Sequence, residues 1–256
     1  MQMKMNNDTV ALNLKIEGGH KLSGEVVTKS SKNAAVGLLC ASLLNKNKTV
    51  LKNMPRIEEV NRIMEVLNSI GAQAKWIGND VEINPKNINI DNINIDSAIK
   101  TRSIIMLIGP LIHLFKKFEL PQAGGCKLGS RTVKPHFFAL EKLGVNIVTK
   151  QKTYQTSIKN LRANEVVMYE SGDTVTENTI MAASRIPGKT VIKFASANYM
   201  VQDLCFFLRS LGVKIEGIGT TTLTIEGKPE INIPISYSIS EDPIESMFFI
   251  AIAIVT

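Results

Sequence analysis

Phe138–Ile147 reads F-A-L-E-K-L-G-V-N-I. Glu65–Ala74 (E-V-L-N-S-I-G-A-Q-A) and Phe206–Ile215 (F-F-L-R-S-L-G-V-K-I) repeat its pattern. Each is the end of an amphipathic helix, then a glycine, then the start of a strand. A glycine just past a helix is expected in the left-handed conformation that ends it. The glycines, Gly71, Gly144 and Gly212, are 73 and 68 residues apart. Recurrence at that distance marks a repeated supersecondary unit.

The first and third copies match over a longer stretch. Val50-Leu51-Lys52 corresponds to Val191-Ile192-Lys193, Val60 to Val201 and Gly71 to Gly212, all at an offset of 141. Both copies read helix, short turn, strand, helix, glycine, strand pair. The turns are Asn45–Lys48 and Pro187–Lys189. The final hairpins pair Gln73–Trp76 with Val81–Ile83, and Val213–Glu216 with Thr222–Ile225. Val60, Ile63, Met64, Leu67 and Ile70 form one helical stripe, as do Val201, Leu204, Cys205, Leu208 and Leu211. Ser31 to about Leu44 is apolar nearly all round, and Arg102 to about Phe115 has the same character, so both predict helices at a domain centre. Three such copies predict an α/β (α+β) domain, threefold pseudo-symmetric, with helices inside and sheets outside.

The ends fall outside the three copies. Leu12–Ile16 and Gly24–Val27 read as a strand pair, and Ile231–Ile235 reads as a further strand. Glu241-Asp242-Pro243-Ile244-Glu245 opens an apolar helix, Ser246–Val255, with acidic groups at the positive end of its dipole and proline in the first turn. That helix opens like another repeat, so the chain is expected to be a fragment or half of a split protein.

Composition narrows the function. At 256 residues, 44% apolar and 21% charged, the chain has the make-up of a soluble globular protein. Cys40, Cys126 and Cys205 are far apart and odd in number, which suits a reducing cytoplasm and speaks against disulfides or a C-x-x-C zinc site. Met1–Thr9 is polar, so no signal peptide is expected, and the apolar run Ile104–Leu114 is too short to span a membrane. The net charge of +7 suits an anionic ligand. Nucleic acid is not indicated, because no basic block exists and aromatics are not interleaved with basic residues.

The anion site suggests itself at helix entrances. Lys32-Asn33, Lys100–Ser103 and Thr174–Asn178 each stand at the start of a central helix, where N–H groups and the dipole favour an anion. Pro121–His136 (P-Q-A-G-G-C-K-L-G-S-R-T-V-K-P-H) combines glycines, a thiol among cations and a guanidinium. Taken alone it reads equally as an anion site with one reactive group or as a glycine-rich turn. Cys40 and Cys205 read as core, His113 as edge of core, and Trp76 as strand packing.

S-K-N-A-A at Ser31–Ala35, the G-G-C-K-L-G-S-R loop with its following V-K-P-H, and E-D-P-I-E at Glu241–Glu245 resemble the UDP-N-acetylglucosamine 1-carboxyvinyltransferase family, sibling of the 5-enolpyruvylshikimate-3-phosphate synthases. The resemblance covers essentially the whole chain. It implies a cytoplasmic transferase of peptidoglycan biosynthesis with two inside-out α/β domains of three repeats each. Residues 31–235 would be one complete domain, residues 1–30 the first strands of the second, and residues 236–256 the start of its remainder. The implied reaction moves the enolpyruvyl group of phosphoenolpyruvate to the 3′-hydroxyl of UDP-N-acetylglucosamine. No metal or organic cofactor, nucleic acid or membrane is implied; the missing second half would be the one macromolecular partner. Without that half, which carries the family's catalytic aspartate, the chain alone is expected to be inactive.

Carried onto matching positions, the resemblance makes Cys126 the general acid. Lys32 would hold phosphoenolpyruvate, Asn33 would bind the amino sugar, and Arg131 would clamp phosphate or carboxylate with Arg102 assisting. Lys134 and His136 would lie by the nucleotide, and Thr174 and Val175 at the phosphate turn. Asp242 and Glu245 would be the acidic pair where the chain re-enters the second domain. Three departures stand out. Thr132 replaces a usual proline, Lys134 a usual aspartate, and Ser171–Thr176 (S-G-D-T-V-T) a usual S-V-G-A-T.

Overall fold

A computed structural model describes Lys15, residues 17–122 and residues 132–256. The first copy contains α1 (Lys32–Ala41), β1 (Thr49–Lys52), α2 (Glu58–Ser69), β2 (Lys75–Ile77) and β3 (Asp80–Ile83). The second contains α3 (Ile95–Ala98), a 3-10 helix (Arg102–Leu107) running into α4 (Ile108–Leu111), β4 (Lys117–Pro121), α5 (Lys134–Lys142), β5 (Val145–Lys150) and β6 (Thr153–Ile158). The third contains β7 (Glu165–Val167), α6 (Asp173–Ala183), β8 (Gly188–Lys193), α7 (Tyr199–Ser210), β9 (Lys214–Glu216) and β10 (Thr222–Gly227). β11 (Ile235–Ser238) and α8 (Pro243–Val255) complete the order.

Each copy supplies one sheet, in the orders β11-β1-β3-β2, β4-β6-β5 and β7-β8-β10-β9. The strand pairs are antiparallel except two: β11 joins β1 and β7 joins β8 in parallel. The helices between the sheets form the core. In α1 every residue from Ala34 to Ala41 is buried, and in α6 every residue from Val175 to Ala183. A helix apolar all round needs protein on all sides, and this arrangement provides it. The amphipathic helices α2 and α7 bury one face each, Val60-Ile63-Met64-Leu67 and Val201-Leu204-Cys205-Leu208.

The three repeat glycines behave alike. Gly71, Gly144 and Gly212 have φ of 96°, 94° and 88°. In each copy a residue sixteen positions later covers the glycine, through the main chain at Asn87 and Asn160 and through the side chain at Lys228. A Cβ at Gly144 would lie 1.9 Å from the Asn160 carbonyl oxygen. The glycine therefore both ends the helix and makes room for the returning chain.

Three expectations need correction. The second central helix is 3-10 over Arg102–Leu107 and α-helical only over Ile108–Leu111. Its register is held from outside, because the Gly109 N–H donates to the Asn178 side-chain oxygen at 2.7 Å. The late strand is β11, Ile235–Ser238, not Ile231–Ile235. Asn45 explains the shift: its side-chain amide donates to the Ile233 carbonyl at 2.8 Å and accepts the Ile233 N–H at 3.1 Å, so a side chain takes the place of a strand partner there. Gly24–Val27 forms no strand, since no neighbouring strand pairs with it among the described residues. Its expected partner, Leu12–Ile16, lies outside the described residues apart from Lys15.

The chain divides into two compact units. Lys29–Asp242 is the larger; the chain up to Thr28 and Pro243–Thr256 make the smaller. In the smaller unit α8 exposes Ile244, Met247, Phe248, Ile250, Ile254 and Val255.

Candidate functional site

The site is built from helix starts in the larger unit. At α1, the buried Ser31 hydroxyl accepts the Ala34 N–H at 3.1 Å, the expected serine cap. The cap leaves Lys32 and Asn33 exposed on the first turn. Asn33 donates to the Tyr199 hydroxyl of α7 at 3.3 Å.

The second start is Arg102. Thr101 caps it, accepting the Ser103 N–H at 3.2 Å. The hydroxyls of Thr101 and Ser103 both donate to Glu59 of α2, at 3.2 and 2.6 Å, so one carboxylate fixes the turn that presents the exposed Arg102. Burial raises the Tyr154 phenol, and the Arg102 charge nearby works against that rise.

At α5, Lys134 is exposed and His136 is turned inward. His136 Nδ1 lies 3.1 Å from the Asn178 side-chain nitrogen, which can only donate, so this imidazole is neutral. Its Nε2 lies 3.5 Å from the Thr174 hydroxyl. Burial pushes the His136 pKa down from 6.5 to about 4.

At α6, Thr174 is exposed, while the Val175 side chain is buried and can meet a ligand only through its main chain. The first turn carries Asp173, whose carboxylate accepts from Ser196 at 2.5 Å and from Asn198 at 3.3 Å. Glu170 stands over the cap, with its Oε1 3.1 Å from where a Cβ on Gly172 would sit. The positive end of this helix therefore already faces two of the protein's own carboxylates.

These starts share one end of the core. Asn33 joins the start of α1 to that of α7, and Asp173 joins the start of α6 to Asn198, the cap of α7. Thr174 and His136 join the starts of α6 and α5. The 3-10 helix runs alongside α6 in the same sense, with Ile105 bonded to Asn178 and Gly109 packed against Asn178 and Met181. Lys32, Asn33, Arg102, Lys134 and Thr174 thus gather on one rim, basic at α1, α5 and the 3-10 helix and acidic at α6.

Beneath the rim lie groups with structural roles beyond the helix-entrance reading of Thr174–Asn178 in sequence. Asn178 bonds to Gly109, Ile105 and His136 at once and ties three helical elements together. Glu177 is 2% exposed, and its Oε1 has no hydrogen-bond partner among the described residues. Burial, then Asp173 and Asp203, push its pKa well above the usual carboxylate range. A Cβ on Gly37 of α1 would lie 2.7 Å from that oxygen, so the glycine makes room for the carboxyl group. Asp203 of α7 is buried as well. The signal available in sequence was a polar residue inside an apolar helix, as in T-E-N-T-I-M-A-A.

Of the remaining candidates, Asp242 is buried and donates its N–H to the Lys29 carbonyl at 2.9 Å. Glu245 lies in the first turn of α8, in the smaller unit. Cys126 and Arg131 lie outside the described residues. Cys40 and Cys205 are core residues; burial pushes Cys40 far up and Cys205 up to about 12. His113 is half-buried, with Nε2 2.8 Å from the Ala182 carbonyl. Trp76 packs under Arg56, 4.2 Å from the ring centre. Among the described residues no group of three His, Cys, Asp or Glu could hold a metal, and no helix is long and apolar enough to cross a membrane.

Comparison with known proteins completes the picture. Residues 16–256 match the family of EPSP synthase (3-phosphoshikimate 1-carboxyvinyltransferase). The UDP-N-acetylglucosamine 1-carboxyvinyltransferase of Bradyrhizobium diazoefficiens is 36% identical over 242 residues, covering 94% of this chain and 56% of that protein. That of Dichelobacter nodosus is 36% identical over 244 residues, covering 95% and 58%. The chain thus spans little more than half the length of these relatives. Among solved structures, the enolpyruvyl transferase NikO from Streptomyces tendae superposes with a TM-score of 0.79 at 20% identity, covering 91% of this chain and 55% of NikO. An EPSP synthase from Acinetobacter baumannii gives 0.68 at 13% identity, covering 88% and 52%. The chain belongs to the enolpyruvyl transferase family of EPSP synthase.

Proposed function

We propose that the chain forms one side of an active site that transfers the enolpyruvyl group of phosphoenolpyruvate to the 3′-hydroxyl of UDP-N-acetylglucosamine. The observation that carries this reading is the shared rim of helix starts, with Lys32-Asn33 on a serine-capped α1 and Arg102 and Lys134 at the same end. The chemistry asks for such a rim. Phosphoenolpyruvate takes a proton at its methylene carbon, the acceptor hydroxyl adds to the adjacent carbon as it gives up its proton, and the tetrahedral adduct loses phosphate and a methyl proton as the double bond re-forms. Carboxylate and phosphate need fixed positive groups throughout, and the methylene needs an acid.

In this reading Lys32 holds phosphoenolpyruvate and Arg102 supports the clamp made by Arg131. Cys126 delivers the proton, Asn33 meets the amino sugar, and Lys134 and Thr174 flank the nucleotide. Asp242 and Glu245 serve at the crossing into the second domain. His136, neutral and bonded to Asn178, acts as a support for α5 and α6. The activity is assigned to a complete cleft, and this chain spans little more than half the length of the relatives it matches.

A second reading rests on Lys134 and Asp173. A cation at α5 and carboxylates at α6 favour a different hydroxyl acceptor, with its anion toward α5. Phosphate release from phosphoenolpyruvate, measured with UDP-N-acetylglucosamine and with a panel of other nucleotide acceptors on the full-length protein, separates the readings. Release with the first substrate supports the proposal. Release only with another acceptor supports the second, and no release with any overturns both. Binding of the nucleotide sugar without turnover would instead mark a binding module.

A further inference from the structure

Asp203 lies in the middle of α7 and is 4% exposed. Tyr237 donates its hydroxyl to Oδ1, and Ser240 donates both its N–H, at 3.1 Å, and its hydroxyl, at 2.9 Å, to Oδ2. The Tyr237 ring stands edge-on to Phe207 of α7, with centroids 5.4 Å apart. All these donors lie on one short segment that runs from the end of β11 to Ser240. The segment's next contact is with the start of α1: the Ser240 carbonyl accepts the Ser31 N–H at 2.8 Å. Ser31 in turn caps α1 through Ala34.

A continuous hydrogen-bonded path therefore runs from the α7 carboxylate through Ser240 to the serine that begins α1. Its far end is the turn that carries Lys32 and Asn33. Tyr199, one turn earlier on α7, touches Asn33 directly. A buried carboxylate is costly unless its hydrogen bonds are good, and an apolar residue between Val201 and Leu204 would serve packing alone. Here the charge meets donors on a segment that bonds to Ser31.

We propose that Asp203 is a positioning residue for the Lys32-Asn33 turn, acting through Ser240 and Ser31. The functional meaning of this role rests on the proposed enolpyruvyl transfer; the positioning itself does not.

Amide hydrogen exchange, read residue by residue in this chain, tests the path. In Asp203→Ala the Ser31 and Ala34 amides should exchange about tenfold faster, a change of about 1.4 kcal/mol. Ile180 of α6 and Ile192 of β8 should change by less than about twofold. Asp203→Asn keeps one acceptor oxygen for Ser240 and should restore most of the protection. If Asp203→Ala does not fold, Ser240→Ala removes the hydroxyl donor alone and should speed Ser31 measurably. Unchanged exchange at Ser31 and Ala34 overturns the proposal. So does uniform acceleration across all four amides, or a failure of asparagine to rescue. In the full-length enzyme Asp203→Ala should raise KM for phosphoenolpyruvate more than it lowers kcat. If the exchange pattern holds but the full-length protein transfers no enolpyruvyl group, the functional reading fails and the positioning role stands.

Discussion

Replacing Glu177 by methionine should make the protein more stable. The carboxyl group is wedged between α6 and Gly37 of α1, and one of its oxygens has no partner among the described residues. An unsatisfied buried polar atom costs about 1–3 kcal/mol. Methionine has nearly the same length and volume, so it can occupy the space that Gly37 leaves without overpacking. The gain should depend on pH, and its sign is set by linkage. The folded-state pKa of Glu177 is raised above its unfolded value near 4.5, by burial first and then by Asp173 and Asp203. Its proton is thus held more tightly in the folded state, and stability is lost as pH rises above the unfolded value toward the folded one. Urea unfolding of wild type and Glu177→Met at pH 5 and pH 9 is the assay. The variant should be more stable by about 1–3 kcal/mol at pH 5, and by more at pH 9 because ionisation of the acid then favours the unfolded wild-type chain. A variant less stable than wild type, or one whose advantage stays constant with pH, would refute the reasoning. Either result would mean that the carboxyl group has a satisfying partner in solution.

Three other perturbations test the same packing. Gly144→Ala should cost more than about 3 kcal/mol, since its Cβ meets the Asn160 main chain at 1.9 Å. Gly212→Ala, facing the movable Lys228 ammonium at 2.7 Å, should cost only the about 1–2 kcal/mol of a left-handed alanine; thermal unfolding ranks them. On the acid side, His136 is held neutral with its pKa lowered from 6.5 to about 4, so it contributes stability above pH 6.5 that disappears as pH falls toward 4. The loss should reach about 3 kcal/mol, and NMR titration of the imidazole should show the lowered midpoint. Asn178→Ala strands the Gly109 N–H and the Ile105 carbonyl in the core and should cost about 2–4 kcal/mol by urea unfolding, with His136 titrating at a different pH.

The repeat was legible because its marks are local. Gly71, Gly144 and Gly212 each sit where one helix ends, and the left-handed φ they adopt is a demand of that position alone. The apolar run of α1 was legible for the same reason: nothing but burial suits it. The features that escaped are set by partners far away in sequence. The 3-10 form of Arg102–Leu107 comes with a bond from Gly109 to Asn178, 69 residues on. The start of β11 is set by Asn45, 188 residues before Ile233. Periodicity within a window contains neither partner.

The same division runs through the site. Lys32, Asn33, Arg102 and Thr174 were readable because exposed polar residues at a helix start are expected from capping and the helix dipole. Their supports were not readable, because Glu59, Asn178 and Asp203 sit within helices and look like unremarkable polar substitutions until the partner helix is known. Yet the supports fix the geometry. Glu59 holds the turn around Arg102 through the hydroxyls of Thr101 and Ser103, and Asp203 reaches the cap of α1 through Ser240. They also carry a charge pattern that motif matching misses. The α6 start has Asp173 already bonded to Ser196 and Asn198, so a ligand phosphate placed there would face a carboxylate that cannot easily turn away. An anion arriving at the rim meets less opposition at α1 and α5, where Lys32 and Lys134 are exposed. Under the proposed transfer, the choice of acceptor turns on how the α6 start treats a phosphate, and Asp173→Gly is the substitution that would move it.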